Sequence, residues 1–181
     1  MPKKKLLDVA PMEGMHPQIG LMAAMLEDGT REWREEIGEV PDEAVAWQPH
    51  PGGHSIGAEI LHIAEVEVWW IEVTTAGKEI SEAEWKELRS KEIQQYKGQW
   101  PDLKPQPVAG LYAIHDRIRA RTLETLKTLN EVESRRTRSK WDIEVTVRWI
   151  LAHVVQHESY HGGQAVLLKM MWDRLNGAAD S

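Results

Sequence analysis

The residues best suited to chemistry gather near the C-terminus, in the run His153-Val-Val-Gln-His157-Glu-Ser-Tyr-His161-Gly-Gly-Gln164. On a helix, residues four apart share a face, and each such step drifts by roughly 40°. His157 and His161 can therefore present their rings to one ion. His153 lies one turn further back and drifts by about twice that angle, so it is expected as a neighbour of the ion and not a ligand. A single His-x3-His pair is a weak motif in a chain with eight His. Two overlapping pairs inside the most apolar helix are far more specific.

Two imidazoles need a third partner to make a stable nitrogen site. His62 is the candidate, flanked by Leu61 and Ile63 in a second helical segment. Taken alone, it reads first as a satisfied core histidine. With His157 and His161 aimed inward from another helix, the ligand reading prevails, because bundles build sites from facing helices. Three neutral imidazoles leave a divalent ion's charge uncompensated and a fourth position open, the pattern of a catalytic site and not a structural one. That position could hold water, hydroxide or a thiolate, each with a lowered pKa. Imidazole suits Zn, Ni, Cu or Fe, with Zn or Ni placed first.

Around these residues the roles are less specific. Gln164 returns to the face of His157 and could bond a ligand or a bound water. Glu65, Glu67 and Glu158 could orient an imidazole, although each also reads as a solvated helix residue. Gly162-Gly163 costs a helix roughly 2 kcal/mol against Ala, which close helix approach, access to the metal or a simple kink would explain. His16, His50, His54 and His115 read as surface residues, with His54 able to rim a pocket. Trp69, Trp70 and Trp149 read as core, while Trp47 and Trp141 could wall a substrate pocket.

The elements that must position this set are helical. Apolar stripes and caps predict helices over Pro17–Ile37, Ser55–Gly77, Val108–Leu129 and Ile143–Leu175. Ser81 with Glu84 is a capping box that opens a shorter polar helix to about Tyr96. A breaker-rich loop spans Val40 to His54, and a charged turn spans Glu131 to Lys140. The expected architecture is all-α: a four-helix up-and-down bundle with an additional short helix in a long connection, 78–106, that crosses or caps it. One domain over 16–176 is expected, between a flexible tail at 1–15 and a short tail at 177–181.

Composition narrows the function. The net charge of −7 over 181 residues argues against nucleic acid and against a polybasic membrane contact. The run Lys3-Lys4-Lys5 reads as a frayed tail. Only Leu6-Leu7 follow before Asp8, so no signal peptide is expected. No stretch approaches the roughly 18 apolar residues of a membrane span, and the expected location is cytoplasmic. The chain has no Cys, so metal ligands must be nitrogen or oxygen and any reacting thiol must come from a small molecule.

Several of these runs together resemble the DinB/YfiT-like superfamily of metal-binding four-helix bundles. The likeness begins with the first helix and Val40-Pro41 ahead of Trp47-x-Pro49. It continues through Ser55-Ile56-Gly57 and His62-Ile-Ala-Glu-Val-Glu67-x-Trp69-Trp70. It is most specific in Thr146-Val147-Arg148-Trp149-Ile150-Leu151 running into the His153–Gln164 segment. The resemblance implies a metal triad of His62, His157 and His161. One departure is Gly162, where many members carry Arg, which removes any role of that Arg toward an anionic substrate. The resemblance also implies a small-molecule substrate, a homodimer, and thiol S-transfer with a low-molecular-weight thiol such as bacillithiol, mycothiol or glutathione. A metal-dependent hydrolase with Glu65 or Glu158 as base, or a non-enzymatic metal-binding bundle, stand as the other readings.

Overall fold

The computed structural model describes residues 8–140 and 142–177, with the side chain of Lys140 left aside. Lys3-Lys4-Lys5, Trp141 and residues 178–181 lie outside that set. Four long helices form the body: α1 (Pro17–Ile37), α3 (Ile56–Glu67), α5 (Val108–Lys127) and α7 (Val147–Asn176). Shorter pieces lie between them: α2 (Asp42–Ala46), α4 (Glu82–Glu87), α6 (Glu131–Arg135) and the strands β1 (Thr137–Lys140) and β2 (Ile143–Thr146).

Local chemistry sets the ends. Pro17 opens α1 in the first turn, where its missing N–H costs nothing. The Ser55 hydroxyl accepts from the Ala58 N–H at 3.2 Å and caps α3. The Ser81 hydroxyl does the same for Glu84 at the start of α4. Past Glu67 the second helix widens into a π-helical stretch, Val68–Thr75, which carries Trp69 and Trp70. The polar helix expected to reach Tyr96 stops at Glu87, and Arg89 takes a left-handed conformation with φ 55°.

The last helix starts at Val147 and not at Ile143. Residues 143–146 pair antiparallel with 137–140, Thr146 opposite Thr137, as β-branched Ile143, Val145 and Thr146 favour. The Thr146 hydroxyl then caps α7 by accepting from the Trp149 N–H at 3.1 Å. The hairpin occupies part of the segment expected as a charged turn.

In the bundle, α7 packs between α1 and α3, and α5 closes the ring on the other side. Residue pairings give the directions. Gly29 faces Ser159 and Gly162 faces Trp33, so α1 and α7 run parallel. Gly57 meets Leu111 and Glu67 meets Arg119, so α3 and α5 run parallel too. His62 meets His157 while Glu59 meets His161, which sets the two pairs antiparallel. The expected four-helix bundle is present, with its helices running up-down-down-up and not in strict alternation. Parallel α3 and α5 require a connection as long as the bundle, and residues 78–106 make that crossing. Met12 and Met15, ahead of α1, lie against the core.

Two apolar clusters fill the interior. One joins Trp33, Ile56, Ile60, Leu111 and Leu168, and the other joins Ile19, Leu26, Ile71, Leu126 and Ile150. Between them runs a buried polar layer with Thr30 from α1, Glu67 from α3, His115 and Arg119 from α5, and Glu158 from α7. The histidines of interest lie at that same level of α3 and α7.

Candidate metal centre

His62 and His161 are each 3% exposed and His157 is half-buried. The three rings meet with centroids 4.2–4.8 Å apart, and their ligand atoms lie within 4.8 Å of one another. The Nε2 atoms of His62 and His157 are 3.2 Å apart. Two imidazole nitrogens held about 2.0–2.1 Å from one tetrahedral ion stand roughly 3.3–3.4 Å apart. This group could hold a metal ion.

Two of the three rings are aimed by carboxylates. His161 donates through Nδ1 to Glu59 Oε2 at 2.7 Å. The other oxygen of Glu59 bonds Nδ1 of His54. Glu59 is fully buried; burial alone would raise its pKa, but the hydrogen bonds from His161 and His54 prevail and hold it below the usual carboxylate value. His62 places Nδ1 3.1 Å from Glu65 Oε2, as expected of Glu65. Such partners fix the tautomer, leave Nε2 bare toward an ion and raise ligand basicity. Burial, reinforced by His161, His62 and His153, pushes the His157 pKa down to about 2, so its lone pair is available at neutral pH.

His153 stands beside this group. Its ring stacks on Trp149 at 4.8 Å and lies 6.0 Å from His157. Trp100 closes the other flank, 4.2 Å from His54 and edge-on to His62 at 5.3 Å. In front of His62 and His157 opens a cavity of about 700 Å³ walled by Trp69, Trp70, Trp149, Ile93 and Tyr96. That volume suits a small-molecule ligand. Trp149 was expected in the core, yet it is 44% exposed, because α7 begins only two residues earlier and turns the ring toward the cavity. Trp47 packs edge-on against Trp172 and does not line the cavity.

Glu67 and Glu158 are placed otherwise than their sequence suggested. Both are buried and face Arg119, not an imidazole of the triad. Arg119 donates to Glu67 at 2.9–3.1 Å, to Glu158 at 2.6 Å and to Thr30 at 3.0 Å. The Trp33 indole donates to Glu158 at 3.2 Å. His115, expected at the surface, is fully buried, because Arg34 reaches its Nδ1 at 2.6 Å and Arg119 lies 3.4 Å from its Nε2. Burial pushes its pKa down to about 3. Glu67, His115 and Glu158 also lie within metal-holding distance of one another. Arg119 already supplies the cation there, so a divalent ion would meet like charge.

Sequence reasoning missed Glu59 and Gln95. Glu59 sits three residues before His62 in an otherwise apolar helix, which is a signal for a buried, partnered carboxylate. Gln95, whose Oε1 lies 3.1 Å from His62 Nε2, comes from the polar crossover and carries no such mark. Gln164 carries a buried Oε1 with no hydrogen-bond partner among the described residues. Gly162 is explained by Trp33, whose ring atoms lie 2.6–2.7 Å from where a Cβ would sit.

A bundle with these crossings and a three-histidine cluster at mid-height defines a DinB-like protein. The fold is similar to a conserved protein from Enterococcus faecalis, with a TM-score of 0.66 at 16% identity over 82% of this chain and 93% of that one. It is also similar to a DinB-like protein from Bacillus cereus ATCC 10987, with a TM-score of 0.59 at 16% identity over 85% and 91% of the two chains. No curated protein matches the sequence. The family model described as mycothiol-S-transferase matches residues 21–173, and the chain belongs to that family.

Proposed function

We propose that this protein holds one divalent transition metal, zinc or nickel, through His62, His157 and His161, and transfers a low-molecular-weight thiol to a small electrophile. The observation that carries the reading is the pair of ring nitrogens 3.2 Å apart, with the ligand atoms of all three histidines within 4.8 Å of one another. Family membership favours mycothiol as the thiol. The chain offers no thiol of its own.

A bound ion would keep the incoming thiol ionised at neutral pH. The rest falls to the protein. Glu59 and Glu65 fix the rings of His161 and His62. The indole walls of the cavity exclude water and take up the apolar part of an electrophile, and Lys97 at the lining offers a cation for an anionic end. Among the described residues no helix is long and apolar enough to cross a membrane.

The test is metal content on untagged protein, wild type beside His157→Ala, followed by mycothiol conjugation to a fluorogenic electrophile. The expected result is about one ion per chain, lost in the variant, with conjugation that a chelator abolishes. Failure to take up any ion on titration would remove the metal and the thiol transfer together.

A further inference from the structure

We infer that Gln95 is a fourth ligand of this centre, an amide oxygen that closes the ion's remaining position in the resting protein and keeps water off it. The inference rests on the three-histidine reading above and extends it to a residue outside the motif.

Gln95 opens a single 3-10 turn, Gln95–Lys97, that ends at Gly98 in the left-handed region with φ 63°. Gln94 and Gln99 bond to each other across that turn, at 2.9 and 3.2 Å. The tip of the crossover is thus a small closed hairpin that presents Gln95 to the bundle. Its Oε1 stands 3.1 Å from Nε2 of His62, the same atom that faces His157 Nε2 at 3.2 Å.

These three atoms do not satisfy one another by hydrogen bonding. Glu65 accepts from Nδ1 of His62, so the ring proton lies there and Nε2 is a bare lone pair. An amide oxygen is likewise an acceptor. A proton on His157 can serve one contact, and the Gln95 oxygen remains turned toward a lone pair. A cation at the point where they converge satisfies all of them, and the spacings match those between ligands of one ion.

The side of approach agrees. His62, His157 and Gln95 all line the cavity, whereas His161 does not. The position left by three histidines therefore opens on the side that Gln95 occupies. A neutral amide on a short hairpin is a weak, replaceable ligand, which a softer thiolate displaces. While it is in place, the ion has no water to ionise, and hydrolysis is suppressed.

The test compares wild type, Gln95→Ala and His157→Ala, each stripped of metal and then titrated. Co²⁺ affinity is measured by competition, and bulk-water proton relaxation is measured on the Cu²⁺-loaded proteins. Gln95 is a half-buried turn residue, and unchanged melting of the metal-free variant checks its fold. Gln95→Ala is expected to bind Co²⁺ about 10-fold more weakly and, loaded with Cu²⁺, to relax water several-fold more strongly. Equal relaxation in wild type and Gln95→Ala would overturn the inference while leaving the triad intact. Tighter Co²⁺ binding by Gln95→Ala would overturn it too, because the amide would then be a donor competing for His62. If wild type takes up no ion, the triad itself is refuted and Gln95 with it.

Discussion

Replacing His115 by Gln separates the buried polar layer from everything else that titrates in this protein. Free histidine has a pKa of about 6.5, and burial inside the bundle lowers it to about 3. The sign follows from proton uptake. Between those values the unfolded chain binds a proton that the folded chain refuses, so stability is complete above pH 6.5 and falls as the pH drops toward 3. Each unit is worth about 1.4 kcal/mol. From pH 7.5 to 5.0 the folded state therefore loses about 2 kcal/mol on account of this one ring. Urea unfolding of the chelator-treated protein at the two pH values measures it. Wild type should lose about 2 kcal/mol more than His115→Gln over that interval, whatever the variant costs at pH 7.5. The titrating groups away from this ring are common to both proteins and cancel, and Glu67, which the ring touches, is held below the usual carboxylate value and so stays ionised over the interval. Parallel losses would mean that His115 accepts its proton inside the fold, and the assignment of a neutral ring between Arg34 and Arg119 would be wrong.

Two further substitutions probe the site and its support. Glu59→Gln removes the charge behind His161 and His54, and should weaken Co²⁺ or Zn²⁺ binding by about 10- to 100-fold with little change in melting of the metal-free protein; unchanged affinity would show that His161 needs no carboxylate. Gly162→Ala and Gly163→Ala gain the same helix propensity, about 1 kcal/mol, but only at Gly162 does the new methyl meet the Trp33 ring. Gly163→Ala should raise the melting temperature by about 2–4 °C, whereas Gly162→Ala should lower it through an overpacking cost of about 1–3 kcal/mol. Equal shifts would deny the close seat of Trp33.

The pattern of what could be read from the sequence follows from the range of the forces involved. Periodicity is local, so the long helices and the facing of His157 with His161 were legible from spacing alone. His62 was legible because it sits between Leu61 and Ile63 on a helix that packs in the bundle, and because His157 and His161 need a third nitrogen from a facing helix. Residues 143–146 were misread because four residues of Ile, Glu, Val and Thr carry too little pattern to separate a strand from the first turn of a helix. His115 was misread because its burial depends on Arg34 and Arg119 arriving from α1 and from its own next turn, and no single helix records that meeting. The up-down-down-up order was implicit in the length of the 78–106 connection, but length permits a crossover without requiring one.

The polar layer also explains how the triad is aimed. Adjacent helix residues point about 100° apart, so the direction of Glu158 sets that of His157 before it and of His161 one turn on. The Glu158 carboxylate is held by Thr30 and Trp33 on α1 and by Arg119 on α5. Those contacts leave α7 one rotation, in which His157 and His161 face α3. Gly162 adds to the constraint by letting Trp33 lie directly on the α7 backbone. The buried ion pairs are thus better understood as fixing the register of α7 than as net stabilisation, since the desolvation of Arg119, Glu67 and Glu158 offsets much of their mutual attraction.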